Sequence, residues 1–486
     1  VISTFLAVGV LQFAAMLVMV VRAKFLAVLL GPALVGVMGV IDKLVGVVAQ
    51  TLSFSIPFAA LRFLPPRWAE SSSSYADLFQ RMRNFLAVST VAGALCAIAI
   101  TFVRPSLWDG ELVGFRAAVA SGLLTIPVVA LMPFLQNAFA GKLQHNRAVL
   151  VGLAHSLAMA GGVAGVALGG LTGYYLAYAL LGGALAVWLG KILARSSSAL
   201  PNPKRFPCRL PGEIYRFGAS LLLLSFATPF SIAFIQYSLF RSHGAAASGL
   251  MQAALGIAIA ARTLLGSTHA LVLTPSVNRL PDLHSRLEWA DAYLGTFCIV
   301  CGLGMPLLLL FPDLFLGLLY SPEFEPAATA LWIFLAAEVV ALIAAVYQAL
   351  VIAEGRMRVH VTNALLAQLV IVLVAAAAVP RLGISGAGLA GLAGSVTLAF
   401  TTVAYVRRRY SMAMSGRLAW RCTWLAAALG LASFLGATAS GATRMPLKIG
   451  AYAALATAFL ASMSTRERAV VVEGLRRVVR QWRAEE

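Results

Sequence analysis

Apolar residues in this chain come in long runs, separated by short polar or glycine-bearing connections. Fourteen runs stand out, at approximately 3–30, 34–61, 84–103, 115–137, 148–169, 172–194, 215–240, 246–275, 292–312, 327–353, 361–379, 385–406, 420–438 and 447–463. A helix needs roughly 20 apolar residues to cross a bilayer. Barrel strands are about ten residues long and alternate in polarity, so runs of this length exclude a β-barrel. Inside hydrocarbon the backbone must pair with itself, which makes each run a helix. The pattern predicts an all-α polytopic membrane protein with about 14 transmembrane helices. The first run is too long for a signal-peptide core and is expected to remain as a transmembrane helix. Pro57, Pro127, Pro133, Pro229, Pro275 and Pro306 fall within runs, where each is expected to kink its helix.

The connections echo one another. Gly31 and Gly36 follow the first run, Gly244 and Gly249 follow the seventh, and the offset is 213 residues both times. Gly170 and Gly173 match Gly383 and Gly386 at the same offset, and Gln136 matches Gln348 at 212. Each pair sits at the same boundary between the same ordinal runs. The expectation is a duplicated unit of six helices. Six is even, so both copies share one orientation and form a parallel repeat about an axis along the membrane normal. The predicted organisation is an N-lobe over 1–194, a cytoplasmic Ser/Pro-rich linker over 195–213 and a C-lobe over 214–410. Two extra helices over 411–464 lie outside the duplication, and a basic tail occupies 465–486. In that tail Val471, Leu475, Val478, Val479 and Trp482 share one helical face. Arg476, Arg477, Arg480 and Arg483 fill much of the remainder, which predicts an interfacial helix on the cytoplasmic leaflet.

Of the 486 residues, 60% are hydrophobic and 11% charged, with a mean hydropathy of +0.89. So few charges cannot clothe a soluble protein of this size. The formal net charge of +19 would suit nucleic acid, but its distribution does not. With the N-terminus inside, most Lys and Arg fall in the even-numbered connections and the tail. This is the positive-inside pattern of a protein with both termini cytoplasmic. The basic excess is therefore topogenic, with some attraction to anionic membrane lipid. The five cysteines give no disulfide framework, and the CxxC at Cys298 and Cys301 reads as small apolar residues in a lipid-embedded helix. The sequence has no Walker A lysine motif, no HExxH, no metal-ligand cluster and no nucleophile motif. The expectation is a transporter rather than an enzyme, with no cofactor and no metal, driven by an ion gradient or by its cargo's own gradient.

An ionisable group at membrane depth marks a functional position by default, because burying it in lipid costs several kcal/mol. Arg262 falls near the centre of the eighth run, too deep to snorkel easily. Arg22 and Lys24 lie in the last third of the first run, with Asp42 and Lys43 in the second. Glu338 is central in the tenth, and His155 and His269 lie in the fifth and eighth. Arg262, Gly266 and His269 recur at i, i+4 and i+7 and share a face, as do Asp42, Gly46, Ala49 and Ser53. Asp42 and Lys43 are adjacent and cannot face each other, so Asp42 is expected to find Arg22 or Lys24 across the turn at Gly31–Pro32. Arg262, Arg22, Lys24 and Lys43 are the candidate substrate-binding cations. Asp42, Glu338 and His269 are candidates for ion coupling or charge pairing. Cations suit an anionic substrate, and Arg matches phosphate geometry.

The stretch VVRAKFLAVLLGPALVGVMGVIDKLVGVVAQTLSFSIPFAALRFLP resembles the N-terminal signature of Wzx-type oligosaccharide flippases. These belong to the multidrug/oligosaccharidyl-lipid/polysaccharide exporter superfamily. The family pattern of a basic residue, LGP and a following Gly is filled by Arg22 or Lys24, Leu30–Gly31–Pro32 and Gly36. GAAASGLMQAALGI, LTPSVNRL, FPDLFLGLLYSPEFEPAATAL, AEGRMRVHVTNA and VPRLGISGAGLAG continue the likeness to about residue 410. The resemblance implies two six-helix lobes, alternating access and an undecaprenyl-diphosphate-linked oligosaccharide moved from the inner to the outer leaflet of a bacterial inner membrane. It implies that Arg22, Lys24 and Arg262 meet the diphosphate, and it leaves room for a polysaccharide polymerase or chain-length machinery as partners. The lipid II flippase branch carries an acidic-aromatic motif and Ile-Pro-Asn where this chain has VIDKLVGVV and FSIPFAAL, which points away from that branch. The alternatives are an ion-coupled multidrug antiporter of the same superfamily and a non-transporting scaffold of a glycan-assembly complex.

Overall fold

The computed structural model describes residues 2–104, 110–142, 144–195, 208–268, 273, 277, 282–410, 416–438 and 445–461. The predicted tail over 465–486, His269, Pro275 and most of the linker lie outside the described residues. Every regular element described is helical, so the protein is an all-α polytopic fold. In chain order the helices are α1 Ile2–Leu52, α2 Ile56–Glu70, α3 Ser72–Val103, α4 Arg116–Leu123, α5 Ile126–Gly141 and α6 His145–Arg195. They continue as α7 Gly212–Thr268, α8 Leu283–Leu310, α9 Pro312–Leu319, α10 Ala328–Ala353, α11 Met357–Tyr410, α12 Gly416–Thr438 and α13 Met445–Ala461.

Among the described residues, 9 helical stretches are long and apolar enough to cross a membrane, and α13 is a shorter apolar helix. Glycine accounts for the difference from the number of apolar runs. α1, α6, α7 and α11 contain 51, 51, 57 and 54 residues. At 1.5 Å per residue such a rod would be roughly 75–85 Å long, against a hydrocarbon core of about 30 Å. Each is broken at a glycine with positive φ: Gly31 (φ 67°, ψ 175°), Gly244 (81°, 175°), Gly170 (56°, −138°) and Gly383 (57°, −127°). An L side chain is strained at such φ values, which is why glycine stands there. These are residues of the 213-residue echo, and the two members of each pair share one backbone conformation. Each break divides a long helix into two of the expected runs.

Two other runs are not single helices. The run expected over 34–61 ends at Leu52, and α2 starts afresh at Ile56. Between them Phe54 (φ 50°) and Ser55 (φ 57°) adopt the left-handed conformation without being glycine. The Ser55 hydroxyl lies 2.7 Å from that of Ser225, and Gly218 leaves room for the Phe54 ring. The run expected over 115–137 likewise divides between α4 and α5. Pro57 and Pro127 therefore open helices instead of kinking them. The first turn has no use for the missing N–H, and the fixed φ of proline suits it. Pro133, Pro229 and Pro306 do lie inside helices.

The molecule comprises two compact units. The first takes described residues of Val1–Ala253, Gly317–Phe324 and Gln368–Ala390. Lipid is as apolar as a protein core, so close packing rather than escape from water must hold such helices together. Phe79 stacks between Tyr75 and Phe134, with ring centroids 6.1 and 5.4 Å away. Small residues allow backbones to touch. The Ala245 carbonyl occupies the place of a side chain on Gly36, and the Pro32 carbonyl occupies that of Gly249. Pro32 and Ala245 are themselves 213 residues apart, so the two contacts exchange under the echo. Within α6, Gly165 abuts Gly173; within α11, Ala378 abuts Gly386, again at the 213-residue offset.

The second unit takes described residues of Ala254–Leu316, Glu325–Ala367 and Gly391–Glu486. Here α8 is the central post. Gly302 faces the Phe459 ring of α13, and Gly295 faces the Arg421 guanidinium of α12. The Cys298 thiol lies 3.8 Å from Cys422 on α12, while Cys301 is buried. The two C-terminal helices thus pack on α8 through contacts that only glycine, cysteine and aromatic residues at these positions allow.

Candidate functional site

In the first unit the break at Gly31 folds α1 back on itself. Arg22 lies nine residues before it and Asp42 eleven after, so each sits about 15 Å along its half-helix from the turn. Two consecutive tyrosines of α6, just beyond its own glycine break, serve both charges. Arg22 is buried and donates from Nε and Nη2 to the Tyr174 hydroxyl at 2.9 and 2.5 Å. The guanidinium carbon also lies 5.4 Å from the Tyr174 ring centroid. Tyr175 donates to Asp42 Oδ1 at 2.8 Å and approaches the Met38 carbonyl at 3.1 Å. Neighbouring helix positions point about 100° apart, so one phenol faces the cation and the other the carboxylate. Arg22 and Asp42 do not form an ion pair within 4 Å; the tyrosine pair stands between them. The expectation that Asp42 meets Arg22 or Lys24 directly is corrected in that detail.

The other cations of this unit separate from that cluster. Lys24 donates to the Gly317 carbonyl at 2.8 Å, near the end of α9, where orphan carbonyls and the helix dipole favour a cation. Lys43 is half-buried next to Asp42 in sequence, one helix position round. His155 pairs with the Tyr178 hydroxyl at 2.7 Å and stacks on its ring, the interhelical role that a buried imidazole needs.

In the second unit Arg262 of α7 and Glu338 of α10 come together. Arg262 Nη1 donates to Glu338 Oε2 at 2.9 Å. Their exposures differ: 52% of the Arg262 side chain is open against 12% for Glu338. The structure thus unites Arg262 with Glu338, and Arg22 with Asp42 through two phenols. It does not gather the four cations around one point within either unit.

Sequence reasoning missed Tyr174 and Tyr175. Their signal was a pair of phenols, in GYYLAY, directly after a glycine break in an otherwise apolar stretch. Buried tyrosine hydroxyls seek partners, and charged groups at membrane depth need them. A second network was also missed. Arg407 donates to Asp291 at 2.6 Å and to the Tyr347 hydroxyl at 2.7 Å, and Tyr347 donates to Asp291 at 2.9 Å. It ties α8, α10 and α11 together at largely buried side chains.

No protein-family profile matches the chain, and no curated protein matches it. Solved structures do. One titled lipid II flippase MurJ, inward closed conformation, aligns with a TM-score of 0.68 at 11% identity, over 93% of this chain and 97% of that one. An inward-facing multidrug resistance MATE family transporter of the MOP superfamily aligns at 0.57 and 15% identity, over 83% and 94%. A MOP superfamily transporter from Pyrococcus furiosus, described as having a binding pocket of reversed polarity, aligns at 0.52 and 16% identity, over 83% and 93%. The chain shares its fold with these solved structures. At such identities the likeness is one of fold, spanning nearly the whole of each chain. Within that fold the Arg22 and Arg262 clusters sit on long helices that glycine breaks divide.

Proposed function

We propose that this chain is a flippase that carries an undecaprenyl-diphosphate-linked oligosaccharide from the inner to the outer leaflet of a bacterial inner membrane. The observation that carries the reading is Arg262. It is a guanidinium near the described end of α7, half open, with a carboxylate on one N–H and further donors to spare. A planar fork of donors at membrane depth suits a phosphate-bearing headgroup. Arg22, Lys24 and Lys43 add positive charge in the first unit, against Asp42 as the acid beside them. The first apolar run contains no Asp or Glu, which disfavours a carrier of organic cations. The likeness in fold to a lipid II flippase adds support for a lipid-linked cargo. In this reading the predicted lobes over 1–194 and 214–410 alternate access, both termini face the cytoplasm, and polymerase or chain-length proteins receive the product.

The test is transport in proteoliposomes holding a fluorescent undecaprenyl-diphosphate oligosaccharide, read by protection from a membrane-impermeant quencher. Wild-type protein should move the lipid and Arg262→Ala should not, with normal insertion of both. Undiminished flipping by the variant would remove Arg262 from the mechanism. Efflux of cationic drugs without lipid movement would select the antiporter reading, and neither activity would select the scaffold.

A further inference from the structure

Arg262 already has an anion. Glu338 accepts from Nη1 at 2.9 Å and is the more enclosed partner. The recorded contact uses one of five guanidinium N–H donors. An incoming phosphate group that takes up the exposed donors must share one cation with a nearly buried carboxylate. Two anions on one guanidinium, away from bulk water, repel, and one relieves the strain most simply by accepting a proton. Of the elements around Glu338, α8 and α12 pack against α10: α8 carries Asp291, held by Arg407, and α12 carries Arg421 beside Gly295. α7 contributes Arg262. α11 meets the neighbouring Ala337 with Gly391, which has no charge. His269, seven residues on from Arg262, lies outside the described residues.

We infer that Glu338 is a stand-in for the cargo's diphosphate: the anion displaces the carboxylate from Arg262 and binds together with one proton, which Glu338 takes up. The inference rests on the flippase reading for the identity of the anion. The step balances simply. The Arg262–Glu338 ion pair plus a diphosphate and a proton become an Arg262–diphosphate pair and a neutral Glu338 acid. No bond to phosphorus forms or breaks. Release of the anion lets the carboxylate re-pair with Arg262 and give the proton back. Cargo and proton therefore load and unload as a unit, and a pH difference across the membrane acts on loading.

The experiment is calorimetric titration of the full chain, in micelles, with farnesyl diphosphate as the probe. Repeating it in two buffers of different ionisation heat counts the protons bound. The probe's own protonation is common to all variants and cancels between them. Wild-type protein should take up close to one proton more than Glu338→Gln. Glu338→Gln should bind the probe tighter, by about tenfold at alkaline pH, and its affinity should not follow the wild-type loss of about tenfold per pH unit on that side. The neutral pair Arg262→Gln/Glu338→Gln retains the local charge balance and serves as the folding control; it should bind at least tenfold weaker with no excess proton. Equal proton counts in wild type and Glu338→Gln would overturn the inference. So would weaker binding by Glu338→Gln, or no binding by the wild type. Proton-linked binding of the probe by a protein that moves no lipid-linked oligosaccharide in vesicles would overturn the cargo reading alone and leave this one standing.

Discussion

Arg22 and Arg262 are both guanidinium groups on long apolar helices, yet their surroundings differ. Arg22 is buried, and its partners are a neutral hydroxyl and an aromatic face, with the nearby Asp42 carboxylate held by a second phenol. Arg262 is half open and sits directly on a carboxylate. A buried charge that is enclosed by fixed dipoles is a structural element: it is closed off from a ligand and its loss would disturb the tyrosine pair that also serves Asp42. A half-open charge held by one bond can exchange that partner for another. In the proposed reading the contrast separates an architectural cation from a working one.

Stability measurements can break that contrast. Arg22→Ala should give the largest loss, about 3–5 kcal/mol, because it leaves a buried carboxylate and phenol uncompensated. Arg262→Ala, where the cation is half open, should cost less than Arg22→Ala while it abolishes transport in the proposed reading. Thermal melting in detergent compares the two directly, and equal losses would erase the distinction. Tyr175→Phe comes next: it removes the hydroxyl that Asp42 accepts from and should cost about 1–3 kcal/mol. Lys24→Met tests a cation on a helix end and should cost about 0.3–1 kcal/mol.

A pH slope at the edge of the first unit offers a separate test. Lys142 follows α5, and its ammonium lies 4.5 and 4.4 Å from the Trp68 and Tyr75 ring centroids. Burial, and then repulsion from Arg147, holds its pKa down at about 8 instead of the usual 10.5. Between those values the unfolded chain keeps the proton that the folded chain has lost. Stability should therefore rise with pH from about 8 toward 10.5, and Lys142→Met should flatten that segment of the melting profile. An unchanged slope in Lys142→Met would assign it to another group.

The helices themselves were legible because lipid imposes a length and leaves no alternative to intrahelical hydrogen bonds. The breaks at Gly31, Gly170, Gly244 and Gly383 were legible as an echo, since a left-handed residue narrows the choice of amino acid. Pro57 and Pro127 were misplaced inside helices, because proline fits the first turn as well as a kink and composition alone does not separate the two. Asp42 was visible as a charge in need of a partner, but its partner was not: Tyr175 is 133 residues away, and nothing local marks it.

By itself the sequence determined the all-α polytopic class, the positions of the glycine turns, the repeat that relates them and the short set of ionisable groups at membrane depth. Those follow from one-dimensional constraints: run length, backbone conformation and the cost of charge in hydrocarbon. Only the tertiary structure decided which charge meets which. Pairing depends on helix rotation and contact across 76 residues for Arg262 and Glu338 and 152 for Arg22 and Tyr174, and a rotation of one position replaces Tyr174 by Tyr175 at the same spot. That small angle makes Arg22 a buried strut of the fold, and a different crossing leaves Arg262 open with a replaceable partner.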